Sequence, residues 1–203
     1  MASRIDGYEM KKLLIVGAGG HGKSVAEAAW ACGTFELVGF VDDAAPESTS
    51  VWDRPVLGTT ASLAEYRSLA DAAIVAIGNN SLREALFDRL GELGFELPAV
   101  VHPRAIVSPT AAVGAGSAIM AGAIIGTEAK LGAGSIVNCG AVVDHHCTVE
   151  DFGHLGVNAS MAGGSILGRA AWMQAGSALG YGVRVQDAVV LPPGTALQVS
   201  REQ

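Results

Sequence analysis

Residues 119–143 read IMAGAIIGTEAKLGAGSIVNCGAVV, and an apolar side chain recurs at every sixth position of this stretch. The same period continues without a slip over sixteen positions: Val107, Val113, Ile119, Ile125, Leu131, Val137, Val143, Val149, Leu155, Met161, Leu167, Met173, Leu179, Val185, Leu191 and Leu197. An α-helix repeats every 3.6 residues and a strand every two, so neither produces this pattern. A period of six is typical of a parallel β-helix built from hexapeptides. We predict that three hexapeptides close one triangular coil, which stacks residues 18 positions apart.

The composition fits this fold and excludes several others. The chain has 203 residues, 50% hydrophobic, 5% aromatic and 16% charged, with 27 glycines. That apolar fraction is too large for a disordered acidic chain, and the glycines lack the regular spacing of collagen. The net charge of -7 offers no polycationic surface for nucleic acid or an anionic membrane. We therefore expect neither as a partner.

A stretch of 23 residues, 105–127, contains no charged side chain and is long enough to resemble a membrane-spanning helix. It contains Pro109 and four glycines, and its apolar residues follow the six-residue period, so we do not expect membrane insertion. The three cysteines form no Cys-x-x-Cys motif. Reduced thiols and a cytoplasmic location are therefore expected.

The first hundred residues follow a different pattern. We predict strands at 13–17, 37–41 and 73–77 that alternate with helices at 21–32, 61–69 and 81–93. This alternation is typical of βαβ units around a parallel sheet. The length holds one half of a dinucleotide-binding fold, which is enough for a single nucleotide. The predicted domains are a half-Rossmann α/β domain over residues 10–103 and an all-β helix over residues 104–203.

A glycine-rich turn, GAGGHG at residues 17–22, follows the first predicted strand and opens the first helix. Its glycines permit close backbone approach, and the free N–H groups of a helix N-terminus can bind a phosphate. Asp42 lies 20 residues after Gly22, where a carboxylate could accept a hydrogen bond from a ribose hydroxyl. The alternative is that the glycines only pack the helix against the strand. Lys23 could contact a diphosphate or simply lie in solvent.

The order of motifs along the chain is distinctive. GAGGHG is followed by Gly39-Phe40-Val41-Asp42-Asp43, then by Ile77-Gly78-Asn79-Asn80 with Arg83, and then by His102-Pro103 at the start of the hexapeptides. This order resembles bacterial sugar acetyltransferases of the sialic-acid O-acetyltransferase (NeuD) type. The nearest subgroup N-acetylates nucleotide-linked 4-amino-4,6-dideoxy sugars for glycan biosynthesis. The resemblance implies a left-handed β-helix, acetyl-CoA as co-substrate and a homotrimer.

The resemblance also implies which residues hold the nucleotide-sugar substrate. In the first domain these are Gly19, Gly20, His21, Gly22, Lys23, Asp42, Asp43 and Asn79. In the second domain, Asn138 and His154 match positions in the cleft for acceptor and acetyl-CoA. A corner asparagine and a buried structural histidine are the respective alternatives for those two residues.

His145 is the candidate for the catalytic base, in the segment Val142-Val143-Asp144-His145-His146-Cys147. An imidazole with a pKa near neutrality can accept the proton of an attacking amine or hydroxyl. The resemblance places the base at His145, but it also leads us to expect an acidic residue directly after it. His146 stands there instead, so the group that orients His145 is open. Asp144 is a substitute candidate.

Gly163 lies 18 residues after His145, and the predicted coil length therefore places it on the next coil at the same corner. Its backbone N–H could donate to the thioester oxygen as negative charge develops there, and the resemblance implies the same role. The alternative is that this glycine only satisfies the geometry of the corner.

Coenzyme A and metal binding complete the candidate sites. The resemblance leads us to expect a closing Gly-x-Pro-Ala-basic segment that holds coenzyme A, which the residues after Leu191 do not contain. Arg169 and Arg184 are the basic candidates in its place. A metal cluster of His145, His146, Cys147 and His154, as in γ-type carbonic anhydrases, is a further alternative. The chain lacks the histidine pattern of those enzymes, so we expect no metal.

Three functions are therefore compatible with the sequence. The first is N-acetylation of a nucleotide-linked amino sugar by direct transfer from acetyl-CoA. The second is O-acetylation of a sialic acid or related sugar. The third is non-catalytic binding of a nucleotide sugar. We expect the first, because the glycine-rich turn and Asp42-Asp43 are both intact.

Overall fold

The computed structural model describes residues 10–45 and 49–199. Its first domain consists of β1 (Lys11–Val16), α1 (Gly20–Cys32), β2 (Phe35–Val41), β3 (Ser50–Val51), β4 (Arg54–Gly58), β5 (Ala72–Val75) and α2 (Asn80–Glu92). The strands form one sheet in the order β3-β4-β2-β1-β5. β1 runs parallel to β2 and β5, and β2 runs parallel to β4. The predicted parallel βαβ arrangement is confirmed.

Two features of this domain differ from the prediction. The helix predicted over residues 61–69 is wrong, because the chain forms two short 3₁₀ turns there, Thr60–Ser62 and Glu65–Ser68. The Tyr66 hydroxyl donates to the Leu57 carbonyl at 3.0 Å, which ties the segment to β4. The antiparallel pair β3–β4 was not predicted. Both strands are too short to produce a periodic apolar pattern in the sequence, and β4 also contains Pro55.

The sheet is covered on both sides, as expected of a parallel sheet. In β1, Leu13 and Ile15 pack toward α1, and Leu14 and Val16 pack toward α2. The α1 side also contacts the start of the second domain, since Ala118 and Met120 belong to the same apolar cluster. The two domains therefore share a packed interface.

The second domain is a triangular prism made of two-residue strands. The His154 face consists of Val100–Val101, Ala118–Ile119, Ile136–Val137, His154–Leu155, Trp172–Met173 and Val190–Leu191. The Val142 face consists of Ile106–Val107, Ile124–Ile125, Val142–Val143, Ser160–Met161, Ala178–Leu179 and Ala196–Leu197. The Thr148 face consists of Ala112–Val113, Lys130–Leu131, Thr148–Val149, Ile166–Leu167 and Arg184–Val185.

The six-residue period fills the centre of the prism. Val143 pairs in parallel with Ile125 on one neighbouring coil and with Met161 on the other, so residues 18 apart stack as predicted. Each of these side chains is buried. The predicted parallel β-helix is thereby confirmed.

The boundary predicted at residue 103 stays a prediction. Val100–Val101 already pairs with Ala118–Ile119, so the first face begins just before that position. Residues 200–203 of the predicted second domain lie outside the described residues. Within the described ranges, neither α-helix is long and apolar enough to cross a membrane.

Candidate functional site

The glycine-rich turn contains glycines of two kinds. A Cβ on Gly22 would lie 1.9 Å from the carbonyl oxygen of Gly17, and one on Gly17 would lie 2.7 Å from that of Ala76. These two glycines are therefore needed for packing. A Cβ on Gly19 or Gly20 would meet nothing within 4 Å, although both lie at the start of α1. Their backbone is open to a ligand, so packing explains only half of the motif.

The two aspartates after β2 hold this region together. Asp42 accepts hydrogen bonds from the backbone N–H of Ala18 at 2.7 Å and of Ala44 at 2.8 Å, so it fixes the glycine-rich turn. Asp43 accepts from the backbone N–H of Thr60 at 2.7 Å and from its hydroxyl at 2.8 Å. Each carboxylate oxygen has a second lone pair available, and Asp42 lies next to the open end of α1.

Lys23 and Asn79 lie at the starts of the two helices. Lys23 is exposed in the first turn of α1, where its charge can reach an anion at the helix end. The side chain of Asn79 caps α2, accepting from the Leu82 N–H at 3.0 Å. Asparagine is a favoured residue at this position. The cap accounts for Asn79 structurally, and its contact with substrate stays a prediction.

A largely buried cluster of side chains between the domains contains three of the predicted residues, His21, Asn138 and His154. The side-chain amide nitrogen of Asn138 donates to Nε2 of His154 at 3.0 Å, and the His154 ring stacks on Trp172 with a centroid distance of 5.0 Å. Burial lowers the pKa of His154 to about 3, assisted by the charge of Arg83. His21 faces the same charge, and its pKa falls to about 4, again chiefly through burial. Both imidazoles are therefore neutral near pH 7.

Three buried polar atoms in this region lack a hydrogen-bond partner within the described part of the chain: Nε2 of His21, Nδ1 of His154 and Nε1 of Trp172. A buried polar group without a hydrogen bond costs about 1–3 kcal/mol, so such atoms usually have a partner in the functional state. These atoms are candidates for hydrogen bonds with a polar ligand.

Arg83 connects the two domains beside this cluster, a role that the sequence motif alone did not reveal. The side chain is 1% exposed and lies on α2. Its guanidinium donates to the carbonyls of Gly134 at 2.8 Å, Phe152 at 2.7 Å and Ile77 at 3.0 Å, so it bridges both domains. Burial lowers its pKa to about 10, and it stays charged. An arginine within a predicted helix of the first domain carries no signal for contacts to the second.

The two basic candidates for coenzyme A differ in their surroundings. Arg169 forms ion pairs with Glu84 of α2 and with Asp151, and its guanidinium lies 5.1 Å from the centre of the Phe152 ring. The bond to Glu84 raises the pKa of Arg169. Arg169 thus helps to join the domains. Arg184 is exposed on the Thr148 face. Contact of either residue with coenzyme A stays a prediction.

His145 lies at the corner between the Val142 and Thr148 faces, called here the His145 corner (residues 144–147). The turn closes through the bond from the Cys147 N–H to the Asp144 carbonyl at 3.4 Å. Nδ1 of His145 lies 2.9 Å from Nδ1 of His146, and its Nε2 lies 3.7 Å from Oδ2 of Asp144. The His145 side chain is 50% exposed, so a substrate can reach it.

Gly163 lies against His145 on the next coil, as the 18-residue stacking predicts. A Cβ on Gly163 would be 2.4 Å from Cε1 and 2.5 Å from Nε2 of the imidazole, so the ring rests on the glycine backbone. Gly163 is the second residue of a turn closed by the bond from Ser165 N–H to Ala162 carbonyl at 3.1 Å. Its own N–H has no acceptor among the described residues. An imidazole is thereby brought next to a backbone N–H group that has no acceptor in the described part of the chain.

The predicted residues thus fall into separate groups. His145 and Gly163 lie at one corner, Asn138 and His154 lie by the His154 face with His21, and the open glycines lie at the start of α1. Among residues 10–45 and 49–199, no group of three or more metal-ligating side chains could hold an ion.

Comparison with known proteins places this arrangement in a family. Residues 12–90 match the model of the PglD N-terminal domain. The UDP-N-acetylbacillosamine N-acetyltransferase of Bacillus subtilis (strain 168) is 36% identical over 111 residues, covering 53% of this chain and 50% of that protein. This match therefore spans about half the length of that relative.

Solved structures match over nearly the whole chain. A histidine-to-alanine mutant of GDP-perosamine N-acetyl transferase from Caulobacter crescentus, in complex with CoA and GDP-perosamine, is 34% identical. The match covers 97% of this chain and 90% of that one, with a TM-score of 0.87.

The acetyltransferase domain of PglB from Neisseria gonorrhoeae FA1090 is 38% identical, covers 93% of this chain and 97% of that one, and has a TM-score of 0.73. That domain has also been solved with acetyl coenzyme A. These matches confirm the predicted resemblance and the left-handed β-helix. The chain belongs to the hexapeptide-repeat family of acetyl-CoA-dependent acetyltransferases that act on nucleotide-linked amino sugars.

Proposed function

We propose that the protein transfers the acetyl group of acetyl-CoA to the 4-amino group of a nucleotide-linked amino-dideoxy sugar. The observation that carries this proposal is the contact of the His145 imidazole with the backbone of Gly163, at an exposed corner. This contact supports the proposal because an imidazole can act as the proton acceptor, and the Gly163 N–H, which has no acceptor among the described residues, can act as the donor that amide formation from a thioester requires.

The transfer is direct and uses no covalent enzyme intermediate. The sugar amine attacks the thioester carbonyl while His145 accepts the proton that the nitrogen loses. The N–H of Gly163 donates to the carbonyl oxygen as it gains negative charge. The C–S bond then breaks, and the departing thiolate of coenzyme A takes a proton, which His145 can return. Holding both substrates together contributes to the rate by proximity.

The nucleotide end of the donor binds at the start of α1. Gly19 and Gly20 leave their backbone open there, and Lys23 adds a positive charge in the same turn. A diphosphate fits such a helix N-terminus. Asp42, which holds the turn through the Ala18 N–H, has lone pairs left for a ribose hydroxyl. Two of the relatives named above act on a UDP-linked and a GDP-linked sugar, so both nucleotides belong in the assay.

A homotrimer would complete the site. In one protomer, His145 and the cluster of His21, Asn138 and His154 belong to different sides of the prism. We propose that the His145 corner of one protomer faces this cluster of the next, with acetyl-CoA between them. Analytical ultracentrifugation should give a particle mass of three copies of the chain. Mixing His145→Ala chains with Asn138→Ala chains should restore activity, because some interfaces then carry both intact residues. No recovery in any mixture would contradict a shared site.

The chemistry is tested by thiol release from acetyl-CoA with UDP- and GDP-linked 4-amino sugars. We expect turnover with one of them and a product that hydroxylamine does not cleave, because an amide resists it and an acetyl ester does not. A hydroxylamine-sensitive product would indicate O-acetylation instead. Binding without turnover would indicate a nucleotide-sugar-binding protein. The three free cysteines accord with the proposed cytoplasmic location, where thiols stay reduced.

A further inference from the structure

Two stacked corners carry large side chains where glycine is favoured. Glu128 and His146 occupy the third position of their turns, 18 residues apart, with φ angles of 56° and 57°. The next two coils have Gly164 and Gly182 at this position. A non-glycine residue in the left-handed region costs roughly 1–2 kcal/mol, so side chains kept there suggest a use for them.

These two side chains form a chain of contacts that ends on His145. Oε2 of Glu128 lies 3.1 Å from Nε2 of His146, and Nδ1 of His146 lies 2.9 Å from Nδ1 of His145. The backbone N–H of His146 donates to the carbonyl of Thr127 at 2.9 Å, which fixes the two corners relative to each other. Both distances between side chains are within hydrogen-bond range.

The Glu128 carboxylate determines which ring nitrogens of His146 and His145 carry protons. An ionised carboxylate can only accept, so the proton of a neutral His146 lies on Nε2 and its Nδ1 carries a lone pair. That lone pair accepts from Nδ1–H of His145. The neutral His145 then has its own lone pair on Nε2. This nitrogen lies against Gly163, since a Cβ added to that glycine would be 2.5 Å away from it.

Asp144 does not compete for this role. Its Oδ2 is 3.7 Å from Nε2 of His145, which exceeds hydrogen-bond length. It can attract the protonated ring but cannot set which nitrogen carries the proton of the neutral ring. Within the described part of the chain, the acidic side chains paired with the two imidazoles are Asp144 and Glu128.

We propose that Glu128 and His146 are positioning residues that hold His145 in its Nδ1–H form, with Nε2 free to accept the proton of the sugar amine. This inference rests on the proposed function, in which His145 is the base. Glu128 and His146 are each 60% exposed, so solvent screens the charge of Glu128, and the role we assign to the pair is to orient the His145 ring.

Kinetics with four variants test the proposal. Glu128→Ala and His146→Ala should lower kcat by about ten- to a hundred-fold, a part of the 10²–10⁴-fold that a general base contributes, with KM nearly unchanged. His146→Asn should retain most activity, because asparagine offers an acceptor oxygen and tolerates a positive φ. The control is Asn158→Ala, at the same turn position with φ 54°, which should keep the wild-type rate. Ala170 and Ala188 already adopt this conformation, so these alanines should fold.

Unchanged kcat in Glu128→Ala or in His146→Ala would overturn the proposal, because removing a residue that positions the base must lower the rate.

Nitrogen-15 NMR of the five histidines provides a readout that does not depend on turnover. His145 should be in the Nδ1–H form in the wild-type protein, and His146→Ala should shift it toward the Nε2–H form that free histidine favours. An Nε2–H His145 in the wild-type protein would refute the inference even if turnover is normal. If His145 is in the Nδ1–H form, this form depends on His146 and the protein transfers no acetyl group, the pairing of the two histidines is supported and only the proposed function is refuted.

Discussion

Replacing Gly163 with alanine should disable acetyl transfer and leave the fold intact. The added Cβ would lie 2.4 Å from Cε1 and 2.5 Å from Nε2 of His145. Non-bonded carbons normally approach to about 3.5–4.0 Å, so the imidazole must move by about 1 Å or more. The ring is half exposed and can swing outward, and Gly163 has an ordinary negative φ, so little stability is lost.

The size of the effect follows from that displacement. A misplacement of about 1 Å in a catalytic group can cost about 100-fold in rate. We therefore expect Gly163→Ala to lower kcat by about 100-fold, measured by thiol release from acetyl-CoA. Its Tm should change by less than about 4 °C, which corresponds to about 1 kcal/mol in a chain of this length.

Gly164→Ala is the matched control. A Cβ there would meet nothing within 4 Å, but the residue has a φ of 69°. This variant should lose roughly 1–2 kcal/mol of stability through backbone strain and keep its activity. If Gly163→Ala stays within three-fold of the wild-type kcat, or if Gly164→Ala loses as much activity, the proposed contact between His145 and Gly163 does not govern catalysis.

Three further predictions concern other parts of the site. His145→Ala should lower kcat by about 10²–10⁴-fold while calorimetry finds nucleotide-sugar binding retained; unchanged turnover would remove His145 from the mechanism. Arg83→Met should lower the free energy of unfolding by about 3 kcal/mol or more in urea titrations, because three backbone carbonyls lose a charged donor; a change below about 1 kcal/mol would contradict its bridging role. Burial depresses the pKa of His21 to about 4 and that of His154 to about 3, so both stay neutral in the folded protein while the unfolded chain binds protons below the ordinary value of 6.5. Their contribution to stability is present above that value and should fall by about 2 kcal/mol per histidine between pH 7 and pH 5, and His154→Gln should flatten this dependence in urea titrations at the two pH values.

The prism could be predicted almost completely because its period is local. One side chain in six enters a narrow core, and every coil repeats the same geometry, so counting along the chain places residues in space. That is why the sequence alone assigns Gly163 to the coil next to His145. The first domain was less regular. Its longer strands and helices were predicted, whereas residues 61–69 were not, because contacts such as that of Tyr66 with β4 decide their form.

The candidate residues were found by type and position, but their partners were not. The open backbone at Gly19 and Gly20 and the tight packing at Gly22 look alike in a glycine-rich motif. Asp42 is predicted to contact a ribose, which stays a prediction, whereas the structure shows that its oxygens hold the turn. Only the three-dimensional structure distinguishes ligand-accessible glycines from packed ones, because the difference depends on which atoms lie beside each backbone position.

The sequence by itself determined the two domains, the coil length and the corner that carries His145, since these depend on patterns that repeat along the chain. The tertiary structure alone decided how the charged groups pair. Arg83 reaches Gly134 and Phe152 across the domain interface, and Glu128 reaches His145 through His146. Such contacts join residues from different coils or domains, and they depend on side-chain directions that no periodic pattern encodes.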